Sequence, residues 1–146
     1  MQLSEHFTLE EFITSQTAIR RGLNNQPSAA MIEKLKATAE KMEQVRDLLG
    51  VPITINSAYR SPSVNRAIGG AATSQHCKGE AVDFVAPRFG TPKQICKKII
   101  EAGIDFDQLI FEGSWVHLSF ADSPRRSVLT AVFNNGSASY LTGIAA

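Results

Sequence analysis

The feature that most restricts the fold is a change of hydrophobic period near residue 50. Ile32, Leu35, Ala39, Met42, Val45 and Leu49 recur at steps of three and four, which lines one face of a helix. Ser28 precedes this run as a candidate N-cap, Gly50 follows it as a natural C′ residue, and Pro52 forbids continuation. Beyond Pro52, Ile53-Thr54-Ile55-Asn56-Ser57 alternates with the period of a strand. Helices first and strands later predict an α+β fold: a single domain over residues 1–146, with N-terminal helices packed on one face of a mainly antiparallel sheet. With 146 residues, 43% of them hydrophobic, one core is expected rather than two.

Local signals divide the rest of the chain. Thr8-Leu9-Glu10-Glu11 is a capping-box pattern and predicts a short helix to about Ala18, broken by the turn-rich residues 22–27. Residues 61–79 are rich in Ser, Gly, Pro and Asn, with one helical turn expected near 64–68; so long an irregular stretch inside a compact domain is usually functional. Residues 81–85 read as a short strand. Thr91-Pro92-Lys93-Gln94 is a second capping box, heading a helix that carries Ile95, Ile99 and Ile100 and stops at Gly103. Residues 108–112 and 115–120 are strands separated by Gly113-Ser114, and 128–133 with 139–141 make a closing hairpin around Asn134-Asn135-Gly136.

Composition removes several classes of function. Fifteen Lys plus Arg against 14 Asp plus Glu leave a net charge of +1, without the basic footprint of a nucleic-acid binder. No apolar run approaches the roughly 20 residues of a membrane span, so no membrane insertion is expected. Cys77 and Cys96 make neither a disulfide framework nor a four-cysteine metal site. The opening MQLSEHFTLEEF lacks the basic-then-apolar layout of a secretory signal, so synthesis in the cytoplasm is expected, and a monomer is the default state.

His76, Asp83 and His117 are residue types that bind zinc, and two histidines with one carboxylate form a recurring catalytic set. Spacing alone is weak, because any chain with three histidines offers some such combination. The context of His117 is stronger. Val116, Leu118 and Phe120 alternate toward the core, which leaves His117 on the opposite face with Trp115 and Ser119. A two-residue turn at Gly113-Ser114 sets Glu112 opposite Trp115 and Ile110 opposite His117. Glu112 then shares a face with His117 as a diagonal neighbour, roughly 7–8 Å away between backbones. A one-residue slip would bury Glu112 unpaired, so the register is self-consistent.

Ser74-Gln75-His76-Cys77-Lys78-Gly79-Glu80-Ala81-Val82-Asp83 resembles the S-x-H-x-x-G-x-A-x-D motif of the zinc D-alanyl-D-alanine carboxypeptidases. Trp115-Val116-His117 resembles their later W-x-H element, and Ser57-Ala58-Tyr59-Arg60-Ser61 the segment that presents their carboxylate-binding arginine. Phe106-Asp107-Gln108-Leu109-Ile110-Phe111-Glu112 is similar to a stretch of phage-encoded members, and the likeness covers residues 7–120. The resemblance implies a hedgehog/DD-peptidase-like fold and Zn2+ held by His76, Asp83 and His117. It implies Arg60 on a substrate carboxylate, a bidentate task suited to guanidinium, with Ser74 beside the metal and helping to hold the substrate or a ligand. The implied partner is the peptidoglycan stem peptide, cut either at terminal D-alanine or between L-alanine and D-glutamate, as in phage endolysins acting on the host cell wall. Gly79 is expected to allow a close approach or a positive φ between the first two ligands.

One position departs from the family. Several members carry the catalytic acid three residues before the last histidine, where this chain has Ser114. Glu112 replaces it on the strand-pairing argument, with Asp107 and Glu80 as weaker alternatives. The expected catalytic residues are therefore Glu112 and Arg60. Zinc would polarise the scissile carbonyl and lower the pKa of its water, while Glu112 moves the proton from water to leaving amine. Ser114 also supports the opposing reading, a non-catalytic zinc-containing wall-binding or virion module. Trp115 is expected either to line the substrate cleft or to cap the sheet. His6 has no ligand-like neighbour in the sequence, Cys77 and Cys96 read as small hydrophobes, and Arg20-Arg21 and Arg125-Arg126 as solvated pairs.

Overall fold

The computed structural model describes residues 1–144. Five helices precede or interrupt six strands: α1 (Leu9–Ile13), α2 (Gln16–Arg21), α3 (Ala29–Leu49), β1 (Thr54–Ser57), α4 (Pro62–Ala67), β2 (Ala81–Val85), α5 (Pro92–Ala102), β3 (Gln108–Phe111), β4 (Val116–Ser119), β5 (Ser127–Asn134) and β6 (Ser137–Thr142). The strands form one mixed sheet in the order β1-β2-β4-β3-β5-β6, so the fold is α+β. Most of the chain's local signals act as expected. Thr8 accepts from the Glu11 amide while the Glu11 carboxylate accepts from Thr8 N–H, and Thr91 and Gln94 repeat that box at α5. Gly103 closes α5 in the left-handed conformation. The predicted first helix, by contrast, is broken at Thr14–Ser15, because the Ser15 hydroxyl caps a new helix at Ala18 N–H.

Cα proximity divides the chain into two compact units. The first holds Met1–Glu43 and Ile55–Val82. In it, Leu35 and Ala39 of α3 are buried, with Phe7, Phe12 and Val64. Phe7 and Phe12 meet with ring centroids 5.8 Å apart. Ser28 starts α3 by accepting from Met31 N–H. Gly79 lies against this helix with φ +71°, and an added Cβ would stand 2.6 Å from Met31 Sδ and 3.3 Å from Leu35 Cδ2. Both reasons for a glycine therefore hold at once. Its carbonyl accepts from the Thr38 hydroxyl at 2.6 Å, which fixes the loop between His76 and β2 to the helix.

The second unit holds Gln44–Thr54 and the chain from Asp83 onward. Val116, Leu118, Leu109, Ile95 and Ile99 make its core, each fully buried. β3 and β4 are antiparallel with Ile110 opposite His117 and Phe111 opposite Val116. β5 and β6 form the closing hairpin through Asn135 (φ 50°) and Gly136 (φ 81°), the pair of positive φ angles of a type I′ turn. The sheet is not antiparallel throughout: β3 and β5 run parallel, Phe111 beside Thr130, since the chain reverses into β4 on one edge of β3 and reverses again into β5 on the other.

Candidate active site

His117 lies on β4 between Val116 and Leu118, both with no exposure, so alternation turns its imidazole to the opposite sheet face. There its Nδ1–H donates to Asp83 Oδ1 at 2.8 Å. Asp83 occupies the middle of β2, a half-buried residue between the buried Val82 and Phe84. Glu112 follows β3 and donates its backbone N–H to the Trp115 carbonyl at 3.1 Å, closing the two-residue turn across Gly113-Ser114. Pairing of Ile110 with His117 and of Glu112 with Trp115 is the register that the hydrophobic pattern predicts. Burial raises the Glu112 carboxyl above its ordinary value; the His117 imidazole lowers it and the Asp83 carboxylate raises it again. A carboxyl held upward beside a histidine-carboxylate pair is suited to accepting and returning a proton. Trp115 is half-buried on this same face.

In the first unit Arg60, Ser74 and His76 converge on one hydroxyl. Arg60 Nη2 donates to Ser74 Oγ at 3.3 Å, and His76 N–H donates to the same oxygen at 3.2 Å. Arg60 N–H also donates to the His76 carbonyl. Ser74 is thus the hinge pin between guanidinium and histidine. His76 is 2% exposed, and its Nδ1–H donates to the Ala58 carbonyl at 2.6 Å. That bond fixes the tautomer and leaves the lone pair on Nε2, the orientation that metal-binding histidines take from a backbone carbonyl. His76, Asp83 and His117 are one of two groups among the described residues with the donors to hold a metal ion. Two imidazoles and a carboxylate suit zinc.

The remaining candidates sort by their partners. Asp107 is buried and held bidentately by Arg125, Nε to Oδ1 at 3.0 Å and Nη2 to Oδ2 at 2.7 Å, so its carboxylate is committed to structure. Glu80 pairs with Lys34 at 3.1 Å and accepts from Gln75. Ser114, three residues before His117, is exposed in the turn. Cys77 is half-buried, and burial pushes the Cys96 thiol up to about 12. Arg125 and Arg126 are exposed, as expected of a solvated pair, yet both are engaged: Arg125 pairs with Asp107, and Arg126 lies 4.6 Å over the Phe106 ring and donates to the Ile104 carbonyl at 2.7 Å. One expectation needs correction. His6 does have a ligand-type neighbour, since its Nδ1 sits 2.6 Å from Glu43 Oε1; Glu5, His6 and Glu43 are the second metal-capable group. Neither contact is visible locally, because the partners lie 18 to 37 residues away.

No helix among the described residues is long and apolar enough to cross a membrane. No curated protein matches the chain. A family model described as Peptidase M15 matches residues 5–119, a span that takes in Arg60, Ser74, His76, Asp83, Glu112 and His117. The chain belongs to the peptidase M15 family, zinc-dependent metallopeptidases that act on peptidoglycan.

Proposed function

We propose that the chain hydrolyses one peptide bond of the peptidoglycan stem, with zinc held by His76, Asp83 and His117, Glu112 as proton carrier and Arg60 as carboxylate clamp. The observation that carries this reading is the shared sheet face of Glu112 and His117 beside the Asp83–His117 hydrogen bond. Zinc, when bound, supplies Lewis-acid polarisation of a carbonyl and a more acidic water. The chain's own groups supply the rest. Glu112 takes a proton at its carboxylate and returns it to the leaving amine, a transfer for which its raised pKa is favourable. Arg60, oriented by Ser74, pairs with a substrate carboxylate and sets which carbonyl is presented. A terminal D-alanine and the α-carboxylate of D-glutamate both satisfy that clamp, so the bond cut is either D-alanyl-D-alanine or L-alanyl-D-glutamate. Such an enzyme acts on the cell wall, in the host periplasm if phage-encoded.

Mass spectrometry of purified peptidoglycan fragments, incubated with zinc-loaded protein with and without chelator, tests the proposal. Chelator-sensitive loss of one D-alanine identifies the carboxypeptidase, and a cut after L-alanine the endopeptidase. Zinc-loaded protein that makes no product sinks the enzyme reading in favour of a binding module.

A further inference from the structure

Beyond the family's matched span, the C-terminal hairpin presents Tyr140, along with Phe133, on the face that carries His117. Ile110 of β3 pairs with His117 on one side and with Leu129 of β5 on the other, and Leu129 pairs with Thr142 of β6. Directly paired residues share a face, and alternation returns to that face every second residue. Two residues along from Ile110 is Glu112, two along from Leu129 is Ala131, and Ala131 pairs with Tyr140. Glu112, Ala131 and Tyr140 therefore form one row across the sheet, on the face of His117 and Trp115. Two strand spacings separate the ends of the row, about 10 Å between backbones. The residue between them, Ala131, carries only a methyl group.

Packing does not call for a tyrosine there. All six residues of β6 are exposed, Tyr140 by 51%, and the β6 residues that share its face, Ala138 and Thr142, are small. The phenol is nevertheless electrically part of the site. Partial burial raises its pKa, and the Glu112 and Asp83 carboxylates raise it further, so the hydroxyl keeps its proton as a donor. A lysine in that position would be drawn into an ion pair with Glu112. A phenol stays neutral beside the two carboxylates and offers a donor.

We propose that Tyr140 is a substrate-contacting residue, its O–H donating to a carbonyl or carboxylate oxygen of the stem peptide that lies along the Glu112–Ala131–Tyr140 row. This inference rests on the peptidase reading above. It assigns to β6, outside the residues common to the family model, a part in holding the peptide.

The test compares zinc-loaded wild type with Tyr140→Phe, Tyr140→Ala and Leu141→Ala. Leu141 is the control, because it is 54% exposed on the same strand and points to the opposite face. Initial rates of cleavage of a synthetic stem pentapeptide, containing L-alanyl-D-glutamate and ending in D-alanyl-D-alanine, give KM and kcat. Its binding is followed separately through the fluorescence of Trp115, the only tryptophan. Loss of one hydrogen bond to a charged or polarised oxygen predicts about a tenfold fall in kcat/KM for Tyr140→Phe, mostly in KM, with a matching rise in Kd. Tyr140→Ala should lose at least as much, Leu141→Ala should match wild type, and zinc content and Tm should be unchanged throughout. Wild-type Kd and kcat/KM in Tyr140→Phe overturn the proposal, as does an equal loss in Leu141→Ala. Wild type that binds the peptide but does not cut it removes the peptidase reading while leaving the contact supported by the Kd shift. Wild type that neither binds nor cuts removes both.

Discussion

At Glu112, function and stability pull in opposite directions. Burial is the main reason that its carboxyl is raised; His117 partly offsets this and Asp83 adds to it. The folded chain therefore binds this proton more tightly than the unfolded chain. Stability from this group is complete below the ordinary carboxylate value and is lost as pH rises through the raised folded value. Above that raised value the ionised, half-buried carboxylate is a net cost in the zinc-free protein. Glu112→Gln should raise the Tm of zinc-free protein on the alkaline side of that value, and thermal scans should show the gain vanishing in acid, where glutamic acid and glutamine are both neutral. The same substitution should lower turnover by about 10²–10⁴, the usual contribution of a positioned acid-base group. An unchanged turnover would exclude Glu112 as the proton carrier. The residue could be singled out from sequence because its neighbours Val116, Leu118 and Leu109 specify the register so strongly.

Among the elements, the connection from β4 to β5 carries a clasp that local patterns conceal. Asp107, 3% exposed, accepts from Arg125 N–H at 3.0 Å as well as from its guanidinium, and its carbonyl accepts from Ser127 N–H at 2.8 Å. These bonds start β5 parallel to β3, while Arg126 reaches back to the Ile104 carbonyl across the Phe106 ring. Arg125→Ala should cost about 1–3 kcal/mol in urea unfolding, because a buried carboxylate loses its partner. Adding Asp107→Asn should recover part of the loss by removing the stranded charge; further destabilisation instead would mean that Asp107 does more than pair with Arg125. A comparable tie holds the N-terminal segment. Burial opposes ionisation of Glu43, yet the Ser4 hydroxyl at 2.5 Å and the His6 amide and ring outweigh it and hold the carboxyl below its ordinary value. In sequence, an Arg-Arg pair and a lone histidine look like solvated surface, since nothing within a few residues marks their acidic partners.

For the molecule as a whole, a zinc ion held by the folded chain and not by the unfolded one must stabilise it by mass action. Free zinc at a hundred times its Kd is worth about 2.7 kcal/mol, so chelation should lower Tm by roughly 5–10 °C for a chain of this size. His117→Ala should begin from the lower value and show no response to chelator. A chelator-insensitive Tm in protein shown to carry zinc would place the metal elsewhere. The Glu5–His6–Glu43 group then becomes the alternative, and Glu43→Gln distinguishes the two.

The division between what the chain declares and what folding adds follows the range of the forces involved. Capping boxes, the period change at Pro52, the Gly113-Ser114 turn and the glycine at 79 act over a few residues, so helix starts, strand faces and the Glu112–His117 relation could be deduced from the sequence alone. The zinc-binding residue types were equally visible, because their motif spans ten consecutive positions and one later strand. Tertiary structure alone decided the parallel placement of β5, the Asp107–Arg125 clasp, the Ser74 bridge between Arg60 and His76, and the position of Tyr140 in the row of Glu112. Those depend on which strand edge is vacant and which distant partner satisfies a buried charge. Neither is encoded by the neighbours of the residue concerned.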